Sequence, residues 1–168
     1  LDNCLVSKSN GVGVEIWWDS SAEIINSTVV SNHSYGIYNF GQGVTVSNSI
    51  IKTNLSESIY NHFDTAYTTV NYSNINSSFD GDGNIDSDPQ FTDPDNGDYT
   101  LQFTSPCIDA GNPDLDGDGD NFLIDSDDQD PDGTRLDIGA FYYDQIANPI
   151  IYGCMDPGAS NYNNEAIV

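Results

Sequence analysis

The chain has 168 residues, of which 27 are Asp or Glu against three basic residues, for a formal net charge of −24. Nucleic acid and anionic membrane both need Lys or Arg to meet phosphate, so this balance argues against them as partners; it favours cations or else serves solubility in salt water. No run is long and apolar enough to span a bilayer, and three cysteines are too few for a disulfide scaffold.

The chain opens directly in a repeat, at LDNCLVS, so further turns are expected upstream of it. Residues 22–32 (AEIINSTVVSN) lie over residues 44–54 (VTVSNSIIKTN) at an offset of 22, pairing Ile24 with Val46 and Val29 with Ile51. The same offset sets Gly36-Ile-Tyr-Asn39 on Ser58-Ile-Tyr-Asn61, while offsets of 23 and 24 bring Val14 under Ile37 and Val46 under Val70. Self-similarity at such a period marks a solenoid. Each period holds short β-branched runs broken by Asn, Ser and Gly, which excludes a helical solenoid, and the LxxLxL signature of leucine-rich repeats is missing. The expected fold is all-β: a single-stranded parallel β-helix over 1–79, with like residues stacked about 4.8 Å apart.

Inward columns are predicted for Ile24/Val46/Val70 and Val14/Ile37/Ile59. Asn26/Asn48 and Asn39/Asn61 are predicted to form ladders at turns, where Asn tolerates left-handed backbone and its amide bonds the next copy. The Asn-x-Ser/Thr strings at Asn26, Asn32, Asn54, Asn71 and Asn76 read as such turns in preference to glycosylation acceptors. Trp17, Phe40 and His62 also align, beside Tyr38 over Tyr60. A stacked strip of this kind either packs inside the coil, the preferred reading, or offers flat rings to sugars. The strings INSTVVSN, SNSIIKTN, YGIYN and SIYN resemble the right-handed parallel β-helix repeat proteins of bacteria.

From Phe79 onward the repeat stops, and between Asp80 and Asp132 there are 17 Asp and no Lys or Arg. Of all the acids in the chain 23 are Asp and four Glu, and because Asp prefers turns and caps this is loop acidity. Such crowding of like charge repels itself unless cations intervene. The string DLDGDGDNFLID, residues 114–125, sets carboxylates at alternate positions, a Gly at the sixth and an acid at the twelfth. That is the pattern of an EF-hand loop, which points six to eight oxygens at one Ca2+ ion. The candidate ligands are Asp114, Asp116, Asp118, Asp120 and Asp125, with Asp127, Asp128, Asp130 and Asp132 beside Asp125 as a neighbouring cluster from which Asp127 and Asp130 are taken as ligands. Asp80, Asp82, Asp86 and Asp88 form a weaker third cluster. No helical pattern flanks the loop, so it resembles the helix-poor DxDGDG calcium loops of secreted proteins.

GNIDSDPQF, NGDYTLQFTSPCIDAG and RLDIGAFYY resemble the ending of many bacterial β-helix proteins, with Tyr142-Tyr143 standing where a Glu usually follows the aromatic. The resemblance implies that residues 80–144 close the last turn and cover its open apolar end, with Arg135 pairing buried carboxylates such as Asp109 or Asp137. After a linker at 145–150, residues 151–168 resemble the start of the GCxDPxAxNYN modules of secreted Bacteroidota proteins. The implied consequences are type IX secretion, an extracellular or outer-surface location, and a disulfide partner for Cys154 beyond this chain.

The function expected is a structural or adhesive surface module stabilised by calcium, with a polysaccharide or cell-surface glycan and the secretion or attachment machinery as further partners. The alternative is the C-terminal part of a carbohydrate-active enzyme, a polysaccharide lyase or glycosidase, whose cleft lies upstream. No Ser-His-Asp order, phosphate loop or zinc spacing is present, and nothing singles out a carboxylate pair among Asp19, Glu23, Glu57 and Asp64. His33 and His62 read as surface turn residues.

Overall fold

The computed structural model describes residues 1–76, 79–149, 151, 157, 160, 163 and 166. The repeat folds as a parallel β-solenoid of about three turns. Each turn gives one short strand to each of three sheets. The first stacks β1 (Leu5–Ser7), β4 (Thr28–Val30), β7 (Ile50–Lys52) and β10 (Asn74–Ile75). The second stacks β2 (Val14–Ile16), β5 (Ile37–Asn39) and β8 (Ile59–Asn61), and the third β3 (Ala22–Ile25), β6 (Gly43–Ser47) and β9 (Tyr67–Asn71).

Every pairing among these strands is parallel, and the registers follow the repeat. Ile24 sits on Val46 and Val46 on Val70, while Val14 sits on Ile37 and Ile37 on Ile59. Both columns line one aliphatic interior. The strands are short because the coil must bend between sheets. Asn3, Asn26, Asn48 and Tyr72 stack at one bend with φ of 50, 47, 49 and 46°, a left-handed backbone for which Asn is suited and Tyr is not. A second such column, Lys8, Ser31 and Thr53 at 57, 56 and 53°, follows the first sheet and carries no residue type that announces it.

Polar ladders satisfy the bends. The backbone N–H of Ser27 donates to Ser49 Oγ and that of Ser49 to Ser73 Oγ, each at 3.1 Å. Asn32 Nδ2 donates to Asn54 Oδ1, and Asn39 Nδ2 to Asn61 Oδ1, both at 2.9 Å. Asn32 and Asn54 are buried, consistent with turns and not with glycosylation. The Asn26/Asn48 ladder does not form: the two residues occupy equivalent bends, but Asn26 Oδ1 and Asn48 Nδ2 lack partners, and Asn48 Oδ1 instead accepts from the backbone of Asn112 at 2.7 Å. Gly13 and Gly36 are required by stacking, since a Cβ on Gly36 would lie 2.6 Å from Ser58 O and from Asn54 Nδ2.

The Asp-rich segment does more than close an end. Phe79 packs against the interior, and Ile85 extends β10 by a parallel bridge to Asn74, so that end is closed by 79–85. The rest lies along the outer face of the first sheet. A hairpin of β11 (Phe91–Asp93) and β12 (Asp98–Leu101), with Cys107 and Ile138, packs on Val30 and Ile50 to form a second core. In β4 Val29 therefore points into the coil and Val30 out to the segment, both fully buried. Cys107 belongs to this outer core and Cys4 is half-buried. Both are free thiols and neither lies in a strand. Cys154 and most of the GCxDPxAxNYN stretch lie outside the described residues.

Ile37 is fully enclosed at the middle of its column. Ile37→Ala is expected to cost about 2–5 kcal/mol, read as a lowered urea midpoint with an unchanged slope.

Candidate metal site and the outer aromatic face

The DxDGDG loop turns because Gly117 and Gly119 take φ of 79 and 96°, a region that favours Gly. Alternate carboxylates then cap the next N–H along the chain. Asp116 Oδ1 accepts from Asp118 N at 3.1 Å and Asp118 Oδ1 from Asp120 N at 2.8 Å, while Asp114 Oδ1 accepts from Gly119 N at 3.4 Å. One oxygen from each of Asp114, Asp116 and Asp118 lies within 4.8 Å of the others. This is the one group of metal-ligand type that the described residues contain.

The other expected ligands fall elsewhere. Asp120 and Asp127 are exposed, and Asp125 caps the short 3-10 turn Ser126–Asp128 by accepting from Asp127 N at 2.9 Å. Asp130 joins a different cluster with Asp137, and Asp120 and Asp125 stand outside the group formed by Asp114, Asp116 and Asp118. Asp82 belongs to a turn and Asp86 pairs with Lys52, so the third cluster has structural work of its own.

The residue left out of the expected ligand set is Asp128. It is fully buried, its Oδ1 accepts from Leu115 N between Asp114 and Asp116, and its Oδ2 has no hydrogen-bond partner. Burial pushes its carboxyl pKa up, with Asp125, Asp116 and Asp114 adding to the rise against the Leu115 N–H. An unpaired buried carboxylate oxygen beside three converging carboxylates calls for a proton or a cation. Spacing could not have singled it out, because only the 3-10 turn swings it under the loop.

A second carboxyl group cluster joins the segment's two ends. Asp137 Oδ1 accepts from Asp109 N and its Oδ2 from Tyr143 N, each at 2.7 Å, and Asp130 Oδ2 accepts from Asp137 N at 2.8 Å. Burial first, and then the neighbouring Asp137, raises Asp130 to about 7, while burial raises Asp137 to about 6. Arg135 does not neutralise them, contrary to the expected pairing with Asp109 or Asp137. Its guanidinium lies 5.8 Å from the centre of the Tyr72 ring, its Nε is buried without a partner, and the ion pair among the described residues is Lys52–Asp86.

The aromatic strip forms where the alignment puts it, at the ends of β2, β5 and β8. Trp17 stacks on Phe40 at 4.9 Å and Phe40 on His62 at 3.8 Å, with Tyr38 over Tyr60 at 5.3 Å. The preferred packing inside the coil is overturned, since Trp17 is 48% exposed and His62 is exposed too. Strand alternation decides it: Ile16 and Ile59 point in, so the rings one or three positions along point out.

Comparison of the chain with protein-family models, with curated proteins and with solved structures finds no match. What the fold and these clusters define is a parallel β-solenoid with an acidic lateral segment.

Asp130 and Asp137 hold protons in the folded state at pH values where an unfolded Asp has lost them. Their stabilising contribution is complete below about pH 4 and is lost as pH rises through about 6 to 7. In EDTA the melting temperature is therefore expected to fall between pH 5 and pH 8, and Asp130→Asn to flatten that fall, both followed by differential scanning fluorimetry.

Proposed function

We propose that the chain is an extracellular or cell-surface structural module of adhesive type, whose lateral Asp-rich segment is held by Ca2+. The observation that carries this reading is the convergence of Asp114, Asp116 and Asp118 within 4.8 Å, beside the buried and unpaired Asp128 oxygen. Carboxylates brought together without a cationic side chain repel one another, and an ion of charge +2 reverses that term. The donors are all hard oxygens on an irregular loop, which suits Ca2+ better than the smaller Mg2+, with its demand for strict octahedral geometry. Asp114, Asp116 and Asp118 would hold the ion. Its role is structural, tying the loop into the segment that packs on Val30 and Ile50 of the first sheet.

Export by type IX secretion is supported by the sequence from Gly153 to Asn163, whose motif resembles the modules of exported Bacteroidota proteins. The adhesive character rests on the outward rings of Trp17, Phe40 and His62, since a solenoid that needed rings for packing alone would turn them inward.

Calcium at a hundredfold excess over its dissociation constant stabilises the folded state by about 2.7 kcal/mol. For a chain of this size that is a rise in melting temperature of roughly 5–10 °C relative to EDTA. Asp116→Asn combined with Asp118→Asn should remove the rise and leave the melting temperature in EDTA within a few degrees. A wild-type protein whose melting temperature ignores calcium would overturn the reading.

A further inference from the structure

The outer aromatic face has two layers, and the second is the more open to solvent at Trp18. The inner layer is the stack of Trp17, Phe40 and His62, whose planes lie within 20 and 16° of one another. These rings cover one another's faces and leave mainly edges outward. Phe63 meets Phe40 and His62 at 88 and 89°, with centroids 5.2 and 4.5 Å away. Its plane therefore runs along the stack and not across it. Trp18 lies 6.4 Å from Phe63 at 38° and is tilted 58° from Phe40. Trp18 is 66% exposed and Phe63 41%.

The backbone strengthens the case. Trp18 and Asp19 are consecutive residues at φ of 27 and 34°, and a bulky side chain at positive φ is strained. Burial does not offset that strain, because the indole stands in solvent. Strain held at an exposed aromatic points to use by a ligand.

The surroundings select the ligand's chemistry. Glu15 accepts from Trp17 Nε1 at 3.0 Å, Asp19 accepts from Gln42 Nε2 at 3.3 Å, and Tyr38 Oη shares a 2.7 Å bond with His62 Nδ1. Flat apolar faces rimmed by hydrogen-bonding groups match a pyranose ring, which has C–H faces and a hydroxyl rim. Two rings offer far less area than the roughly 800 Å² per partner of a stable protein interface. Carboxylates at the rim repel uronates. The three basic side chains are engaged elsewhere, Lys8 with Asp95 O, Lys52 with Asp86 and Arg135 over Tyr72.

We propose that Trp18 and Phe63 form a stacking platform for an uncharged polysaccharide, one sugar ring on each, with Glu15 and Asp19 receiving its hydroxyls. This rests on the adhesive reading and names the surface that does the adhering.

The test uses the whole chain in calcium, with xylan, mixed-linkage β-glucan, galactomannan and amylopectin as uncharged polymers and polygalacturonate as the charged one. Binding is read by affinity electrophoresis and by tryptophan fluorescence. At least one uncharged polymer is expected to bind, and Trp18→Ala or Phe63→Ala to weaken it tenfold or more, with Trp18→Phe keeping part of the affinity. Trp18→Gly separates a binding role from a structural one: it should hold or raise the melting temperature, by relieving the positive φ, while losing the polymer. Retained binding in Trp18→Ala and Phe63→Ala would overturn the platform and leave the adhesive reading standing. Polygalacturonate bound most tightly would overturn the platform alone and no polymer bound would overturn platform and adhesion together, while the calcium-dependent melting temperature reports separately on the module's metal.

Discussion

The structure depends on one constraint: whatever a residue does in one turn of the coil, its equivalent must do in the same place in the next. Parallel strands pair only with the turn above and the turn below, and the bends between sheets hold backbone N–H groups that no strand can satisfy. Ser27, Ser49 and Ser73 answer this with hydroxyls, and Asn32 with Asn54 answers it with amides. Gly13 and Gly36 answer a steric form of the same demand, since the turn above lies too close for a Cβ. The repeat in the sequence is the record of these contacts.

The same constraint explains how charge is partitioned. The coil interior is aliphatic and its outer faces carry few charges, while the Asp residues gather in a segment freed from stacking. That segment contributes apolar residues to one sheet, through Phe91, Tyr99, Leu101 and Ile138, and turns its carboxylates to the other side. Where they meet, at Asp114, Asp116, Asp118 and Asp128 or at Asp109, Asp130 and Asp137, hydrogen bonds from backbone N–H groups supply only part of the compensation. Protons or a divalent ion can supply the remainder.

The solenoid was legible because a period of 22 to 24 residues leaves only a few ways to stack, and both aliphatic columns follow from the offsets alone. What escaped the sequence involves surfaces that do not repeat. The outward burial of Val30 and Ile50 depends on a segment that appears once, and the bend at Lys8, Ser31 and Thr53 carries no favoured residue type. Asn26 and Asn48 stand where the alignment puts them, yet Asn112 takes the oxygen that a ladder would have used. The acidic loop was visible in its spacing, but Asp128 stood only as a member of the neighbouring cluster, because its place depends on a turn folding beneath a loop 13 residues earlier in the chain. Whether the aromatic strip faces in or out depended on which residue of each strand pointed inward.

The lateral segment also changes how such a coil comes apart. A bare solenoid has only nearest-neighbour coupling, so its turns can fray one at a time from either end. Here Asp95 accepts from Lys8, Ala140 donates to Thr28, Gly139 and Asn112 donate to Asn48, and Cys107 accepts from Asn74, so one strap is fastened to every turn, from the bend after the first strand to the last strand of the sheet. Opening any one turn then means lifting the strap from all of them. An array that would otherwise unzip is made to yield as a single cooperative unit.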